Sequence, residues 1–169
     1  AAALAEAMLQ RFEDKQGGGF FFSTDAHQTP LQRSRTFSDD SLPAGNGVAA
    51  RALLRWGHLL GETRWLEAAQ RALRAAGDAL QRHPDACCTT VSALREFHSP
   101  RTQVVIRCTA AEEPAWRDAL GEGAIGRDDS AVFFIPSAAK SLPGLLAQRK
   151  PRKGGVAYVC SGLACRAPI

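Results

Sequence analysis

No run in this chain of 169 residues is apolar for long enough to cross a bilayer, so a membrane-spanning helix is excluded and a cytoplasmic location is the expectation. Cysteine is scarce and odd in number, at five, which argues against the disulfide framework of a small secreted protein. A dominant sign of charge is also missing. The net charge is only +4 and the acids are interleaved with the arginines, so neither nucleic acid nor a membrane surface is an expected partner. The lysine loop that cradles nucleotide phosphates is absent, as is the G-x-S-x-G turn of hydrolases. The alanine-rich start has no basic leader and does not read as a secretory signal.

What is present divides into two grammars. Leu4, Met8 and Phe12 recur at i, i+4 and i+8, one face of a helix over residues 2–14 that stops at Gly17-Gly18-Gly19. The chain is expected to begin inside this helix and to be a fragment of something longer. "FFFST" and "PLQRSRTF" read as two strands joined by the turn "DAHQT", a β-hairpin inserted between helices. Asn46 is placed to cap a helix over 47–60, with Ala49, Leu53, Trp56 and Leu60 on its stripe. A longer helix over 64–82 carries Trp65, Ala69, Ala72, Ala76 and Leu80, and a shorter one follows Pro84. Past Ser99-Pro100 the pattern becomes strand, helix, strand, helix, strand: "TQVVIRC", "EEPAWRDALGEG", "AVFFIP", "SAAKSLPGLLAQ" and "GVAYVC". The expectation is an α+β protein, with a helical-hairpin part over 1–99 and a small, mostly parallel α/β unit over 100–169.

The segment between the first two helices gathers the residues that could bind something. Asp25, His27, Arg33, Arg35, Asp39 and Asp40 lie beside Phe20, Phe21 and Phe22. A sugar or small polar ligand needs an aromatic face for its ring and charged groups for its hydroxyls. Phe21 would supply the face, and His27, Arg33 and Arg35 the polar contacts. Asp25 and Asp39 are the candidates for general acid and base. The alternative is a structural hairpin with its charges in water. Cys160 and Cys165, spaced C-x4-C with no histidine nearby, do not make a zinc site, and no metal or cofactor is expected. They are either two buried thiols or a candidate redox pair closing a turn. Cys87 and Cys88 read as packing residues, and "RKPRK" at 149–153 as a solvated loop.

The order of residues is similar to that of a known family. Gly18-Gly19-Phe20-Phe21-Phe22, Asp25, Leu31, Arg33, Arg35, Asp39 and Pro43-Ala44-Gly45-Asn46 resemble the C-terminal part of the thioredoxin-domain-containing proteins of the YyaL and spermatogenesis-associated type. Tyr158-Val159-Cys160, Cys165 and Pro168 resemble that family's terminal Y-V-C-x4-C-x-x-P, and the resemblance runs the length of the chain. It implies a thioredoxin-like domain followed by a six-hairpin α/α toroid, similar to N-acylglucosamine 2-epimerases and glycoside-processing enzymes. Segments like 17–46 would line the funnel where sugars bind, with Asp25, Arg33 and Asp39 at polar positions of the pattern and Asn46 at the asparagine of P-S-G-N. Arg35 stands where the family usually has lysine, Ala44 replaces its serine, and Asp40 replaces a common glycine. The thioredoxin-like motif is not in this sequence, so its redox activity is not carried over.

Three functions follow. The chain could be the C-terminal share of a sugar-binding or carbohydrate-active toroid, inactive alone. It could be an interaction module whose helical face docks on the rest of the parent protein or on a second copy. Or it could sense redox state through Cys160 and Cys165.

Overall fold

The computed structural model describes residues 2–24, 33–121, 127 and 129–169. The chain divides into two compact units, Ala1–Gly57 with Glu62–Ser99, and His58–Gly61 with Pro100–Ile169. The α+β class expected from the sequence is the one observed.

Small side chains at helical spacing build the first unit. Helix α1 (Ala2–Arg11) is followed, beyond the long segment, by α2 (Gly45–Leu60), α3 (Thr63–Ala75), α4 (Gly77–Arg82) and α5 (Cys88–His98). A 3-10 turn over Pro84–Cys87 leads into α5. On α3, Trp65, Ala68, Ala69, Ala72 and Leu73 share one face and all are buried. Trp65 is 2% exposed, and burial of its indole contributes at most roughly 4–6 kcal/mol. Its ring N–H donates to Glu6 of α1 at 2.8 Å, which fastens α1 to α3. On the other side of the unit, Glu96 of α5 is buried and accepts from Arg51 of α2 at 2.7 Å and from Arg55 at 2.8 Å.

Two helical expectations are corrected. On α2 the expected Ala49, Leu53 and Leu60 are buried, together with Ala50, Leu54 and Leu59, but Trp56 is 38% exposed. The cause is Gly57, where a Cβ would lie 2.6 Å from Leu66 of α3. The Leu66 side chain packs on the α2 backbone on that side, and Trp56, about 100° away around the helix, is turned outward. The single helix expected over 64–82 breaks at Ala76, whose ψ of −6° precedes Gly77, and restarts as α4.

The inserted β-hairpin is corrected as well. In the described part of residues 17–46 there is one isolated antiparallel bridge, Glu13 to Phe20, and a single bond from the Phe22 N–H to the Ser34 carbonyl at 3.0 Å. Among the described residues no ladder develops, because the backbone of Phe20 is already paired with a side chain, the amide of Asn46.

The second unit is a four-stranded mixed sheet in the order β2-β1-β3-β4, where β1 is Thr102–Cys108, β2 Ser130–Pro136, β3 Val156–Ser161 and β4 Ala164–Cys165. Strands β1 and β2 are parallel and joined through helix α6 (Glu113–Leu120), while β3 and β4 pair antiparallel. On one face Ile106, Cys108 and Ala157 are buried under Trp116, Leu120 and Phe134. The sheet is thus not mostly parallel, because the helix expected over 137–148 does not form. Leu142-Pro143-Gly144 interrupts that stretch and only a 3-10 turn remains, at Gly144–Gln148. Without a crossover helix the chain passes over the end of β1 and returns beside it in the opposite direction. Buried Arg107 braces this return, donating to the carbonyls of Arg149 (2.8 Å), Ala139 (3.1 Å) and Ser137 (3.2 Å).

Candidate functional site

In the first unit, the apolar stripe of α1 faces a groove rather than a closed core. Leu4, Met8 and Phe12 line one side of a hollow of about 380 Å³, Phe20, Phe21 and Phe22 another, and Gly45 and Asn46 of α2 complete it. Leu4 is 76% and Phe22 70% exposed. The turn after α1 positions the phenylalanines. Asp14 Oδ1 accepts from the backbone of Gln16 and Gly17, at 3.0 and 2.9 Å, closing the helix end. Gly18 then takes φ +74°, and a Cβ there would lie 2.6 Å from the Arg71 carbonyl, so only glycine lets the chain pass so close to α3.

The structure brings some of the expected site residues together and directs them inward. Arg33 lies over the Phe21 ring, with its guanidinium carbon 4.2 Å from the centroid, and its Nε donates to the Ser23 carbonyl at 2.9 Å. Arg35 sits 5.8 Å from the same ring and pairs with Asp14 at 2.6 Å. The Arg35 guanidinium also donates to the Gly18 carbonyl. Asn46 is buried within the first turn of α2 and is not a cap. Its Oδ1 accepts from the Phe20 N–H at 2.6 Å, and its Nδ2 donates to the carbonyls of Phe20 (3.0 Å) and Thr36 (2.8 Å). Asp39 is held elsewhere, at the start of α5. Its two oxygens accept from the backbone N–H groups of Ala44 (2.7 Å) and Thr89 (2.8 Å). Burial works to raise its pKa, but these amides outweigh it and hold the carboxyl below its ordinary value. Asp25 and His27 lie outside the described residues.

In the second unit, Cys160 and Cys165 face each other across β3 and β4 and are joined by a disulfide. The expectation of two buried thiols is corrected, since Cys160 is buried but Cys165 is exposed. Of the other cysteines, Cys87 and Cys108 are buried thiols and Cys88 is exposed. Among the described residues no cluster of histidine, cysteine and carboxylate could hold a metal ion, and no helix is long and apolar enough to cross a membrane.

The chain is similar along its whole length to spermatogenesis-associated protein 20. It is 29% identical to the human protein and 32% identical to the rat protein over 182 aligned positions. The alignment covers 100% of this chain but only 22% of each relative, so the chain spans about a fifth of their length. No family model matches the chain, and no solved structure matches it.

Sequence reasoning missed three features. Asp14 partners Arg35, and its signal was the glycine run three residues beyond a helix-end aspartate. Arg149, read as part of a solvated basic run, is 5% exposed. No pattern marked it, because burial of one arginine among four basic residues depends on the return path of the chain. A G-x-G-x-x-G spacing also occurs, at residues 121–126. It follows helix α6 and precedes strand β2, the reverse of the strand-to-helix order that binds phosphate, and residues 122–126 lie outside the described residues.

Proposed function

We propose that the first unit is a docking module of a longer protein, and that its groove receives an apolar segment from the part of that protein outside the stretch this chain matches. The lining of the groove carries this reading. Among the described residues its one polar side chain is Asn46, whose amide is closed on Phe20 and Thr36. A sugar would bring hydroxyls that must exchange water for new partners, and each one left unpaired costs about 1–3 kcal/mol. An apolar segment brings no polar side chains, pairs its own backbone if helical, and would cover Leu4 and Phe22. Most of the length of the two relatives lies outside the matched stretch, which gives the occupant a source. The ring of helical hairpins implied by the family resemblance would close in this way, with α1 to α5 as its share and no activity in the isolated chain.

A second reading rests on the volume and the aromatic lining. A hollow of about 380 Å³ falls in the range of small-ligand pockets. Phe21 and Phe22 would stack on a sugar ring, as in the funnel of a carbohydrate-active toroid.

The test is to produce the remainder of the longer protein as a separate polypeptide and titrate it into this chain by calorimetry. Association is expected, weakened at least tenfold by Phe22→Asp or Met8→Asp, since each places a charge on an apolar contact. Absence of association, or variants that bind as well as the parent, would overturn the docking reading. Self-association abolished by the same variants would make the occupant a second copy. Monosaccharide-induced shifts in the ring resonances of Phe21 and Phe22 would move the conclusion to the second reading.

A further inference from the structure

The second unit buries a cation beside a disulfide. Arg149 is 5% exposed, and its Nη1 donates to Cys160 Sγ at 2.8 Å and its Nη2 to Cys165 Sγ at 3.4 Å. Among the described residues its Nε–H has no partner and no carboxylate lies within salt-bridge distance of it. The other groups around it do not neutralise it. The Tyr158 ring lies 5.4 Å away, Arg107 reaches only its backbone carbonyl, and Gln103, opposite Cys160 in the register, is neutral. Burial lowers the pKa of Arg149, yet a guanidinium does not lose its proton in a protein. A buried, uncompensated cation is costly, and the sulfur of an intact disulfide is a poor acceptor.

We infer that Cys160 and Cys165 form a thiol–disulfide exchange site for a dithiol reductant, in which Arg149 stabilises the Cys160 thiolate of the reduced form. Cys165, on the exposed strand β4, is the sulfur open to attack, and Cys160, 2% exposed, is the leaving group. A thiolate of the incoming dithiol attacks Cys165 Sγ. The bond between Cys160 and Cys165 breaks, and its electron pair goes to Cys160 Sγ beside the guanidinium. The second thiolate of the reductant then attacks its own sulfur in the mixed disulfide. This releases Cys165, which takes a proton from water. Two electrons pass to the protein and the dithiol becomes a disulfide. The cation that lacks an anion in the oxidised protein gains one in the reduced protein, which favours reduction and lowers the pKa of the leaving thiol. Reduction also removes the covalent tie between β3 and β4 and leaves that edge held by backbone hydrogen bonds, among them Arg166 N–H to the Val159 carbonyl at 2.9 Å.

The full chain is equilibrated in buffers of reduced and oxidised dithiothreitol, or of glutathione where the pair is more oxidising. Thiols are then trapped with a mass-tagged alkylating agent. In parallel, the Cys165→Ser variant leaves Cys160 as a single thiol at this site, and its alkylation rate is followed against pH. The expected result is a Cys160 titration at least one unit below the usual thiol value. Arg149→Met should raise it and shift the reduction equilibrium at least tenfold toward the disulfide, about 30 mV. Arg149→Lys, which keeps the cation, should restore part of both shifts, something a merely structural role would not produce. A Cys160 thiol that titrates at or above the ordinary value in Cys165→Ser would overturn the proposal, even if Arg149→Met failed to fold. So would an equilibrium unmoved in a folded Arg149→Met.

Discussion

The segment from Gly17 to Asn46 and the corner around Arg149 both place polar side chains where water is scarce, but they differ in whether the hydrogen bonds close. Around the segment, Asn46 answers three backbone groups, Asp39 answers two, and Arg33 and Arg35 are directed onto carbonyls and Asp14. Asn46 and Asp39 are committed to backbone groups, and the bonds of Arg33 and Arg35 shape the chain around Phe21. Around Arg149 one N–H is unpaired and two point at sulfur. A closed network fixes a conformation, whereas an open one beside a breakable bond can respond to a chemical change.

The sharpest way to break this contrast is at Asn46. Asn46→Ala would leave the N–H and carbonyl of buried Phe20 unpaired and return the carbonyl of exposed Thr36 to water, and a loss of about 3 kcal/mol is expected. Urea unfolding followed by circular dichroism measures it. A change below about 1 kcal/mol would mean that the segment is not held by this amide. Glu96 comes next. Glu96→Ala strands Arg51 and Arg55, which are partly exposed, so a loss of about 2 kcal/mol is expected rather than the full cost of a buried charge. Burial works to raise the Glu96 pKa, but the two guanidinium groups outweigh it and hold it below its ordinary 4.5. Because the folded value is depressed, the contribution is complete above about pH 4.5 and is lost as pH falls through the folded value, where parent and variant should converge.

What the sequence showed follows from the range of the interaction. The stripe of Trp65, Ala69 and Ala72 and the run of Val104 to Cys108 were legible, because periodicity and apolar runs are local signals. The hairpin was not. "FFFST" has the composition of a strand, and only the reach of Asn46 across 26 residues shows that a side chain takes the strand partner's place. Direction in the sheet was hidden for a similar reason: β3 returns antiparallel because the crossover helix expected over 137–148 is interrupted at Pro143. Among the site residues, chemical type was visible but commitment was not. Nothing in the letters distinguishes an arginine directed onto a carbonyl from one that waits for a ligand.

Asp39 sharpens the comparison on a smaller scale. If it caps the start of α5 and does no acid–base work, Asp39→Ala should cost about 1–2 kcal/mol, as the loss of an aspartate cap does. Asp39→Asn, which keeps one acceptor, should cost less. The folded pKa lies below its ordinary 3.8, so the stabilisation is present above that pH and fades as pH falls through the folded value. Thermal melts of parent and Asp39→Ala should therefore approach one another below about pH 3.8. A gap that stays constant down to pH 2 would assign the loss to packing.

The smallest expected effect is at Arg149. If its hydrogen bonds were closed like those of Asn46, removing it would be as damaging. They are open, so in the oxidised protein Arg149→Met removes an uncompensated charge and leaves an apolar stem of similar length. The stability change should then stay within about 1 kcal/mol of zero, in either direction. In the reduced protein the same substitution takes the partner from the Cys160 thiolate, and the loss should be larger than in the oxidised protein. Paired urea titrations with and without reductant measure the difference. A large loss in the oxidised protein would place Arg149 with Asn46, as a brace, and would remove the distinction between the two regions.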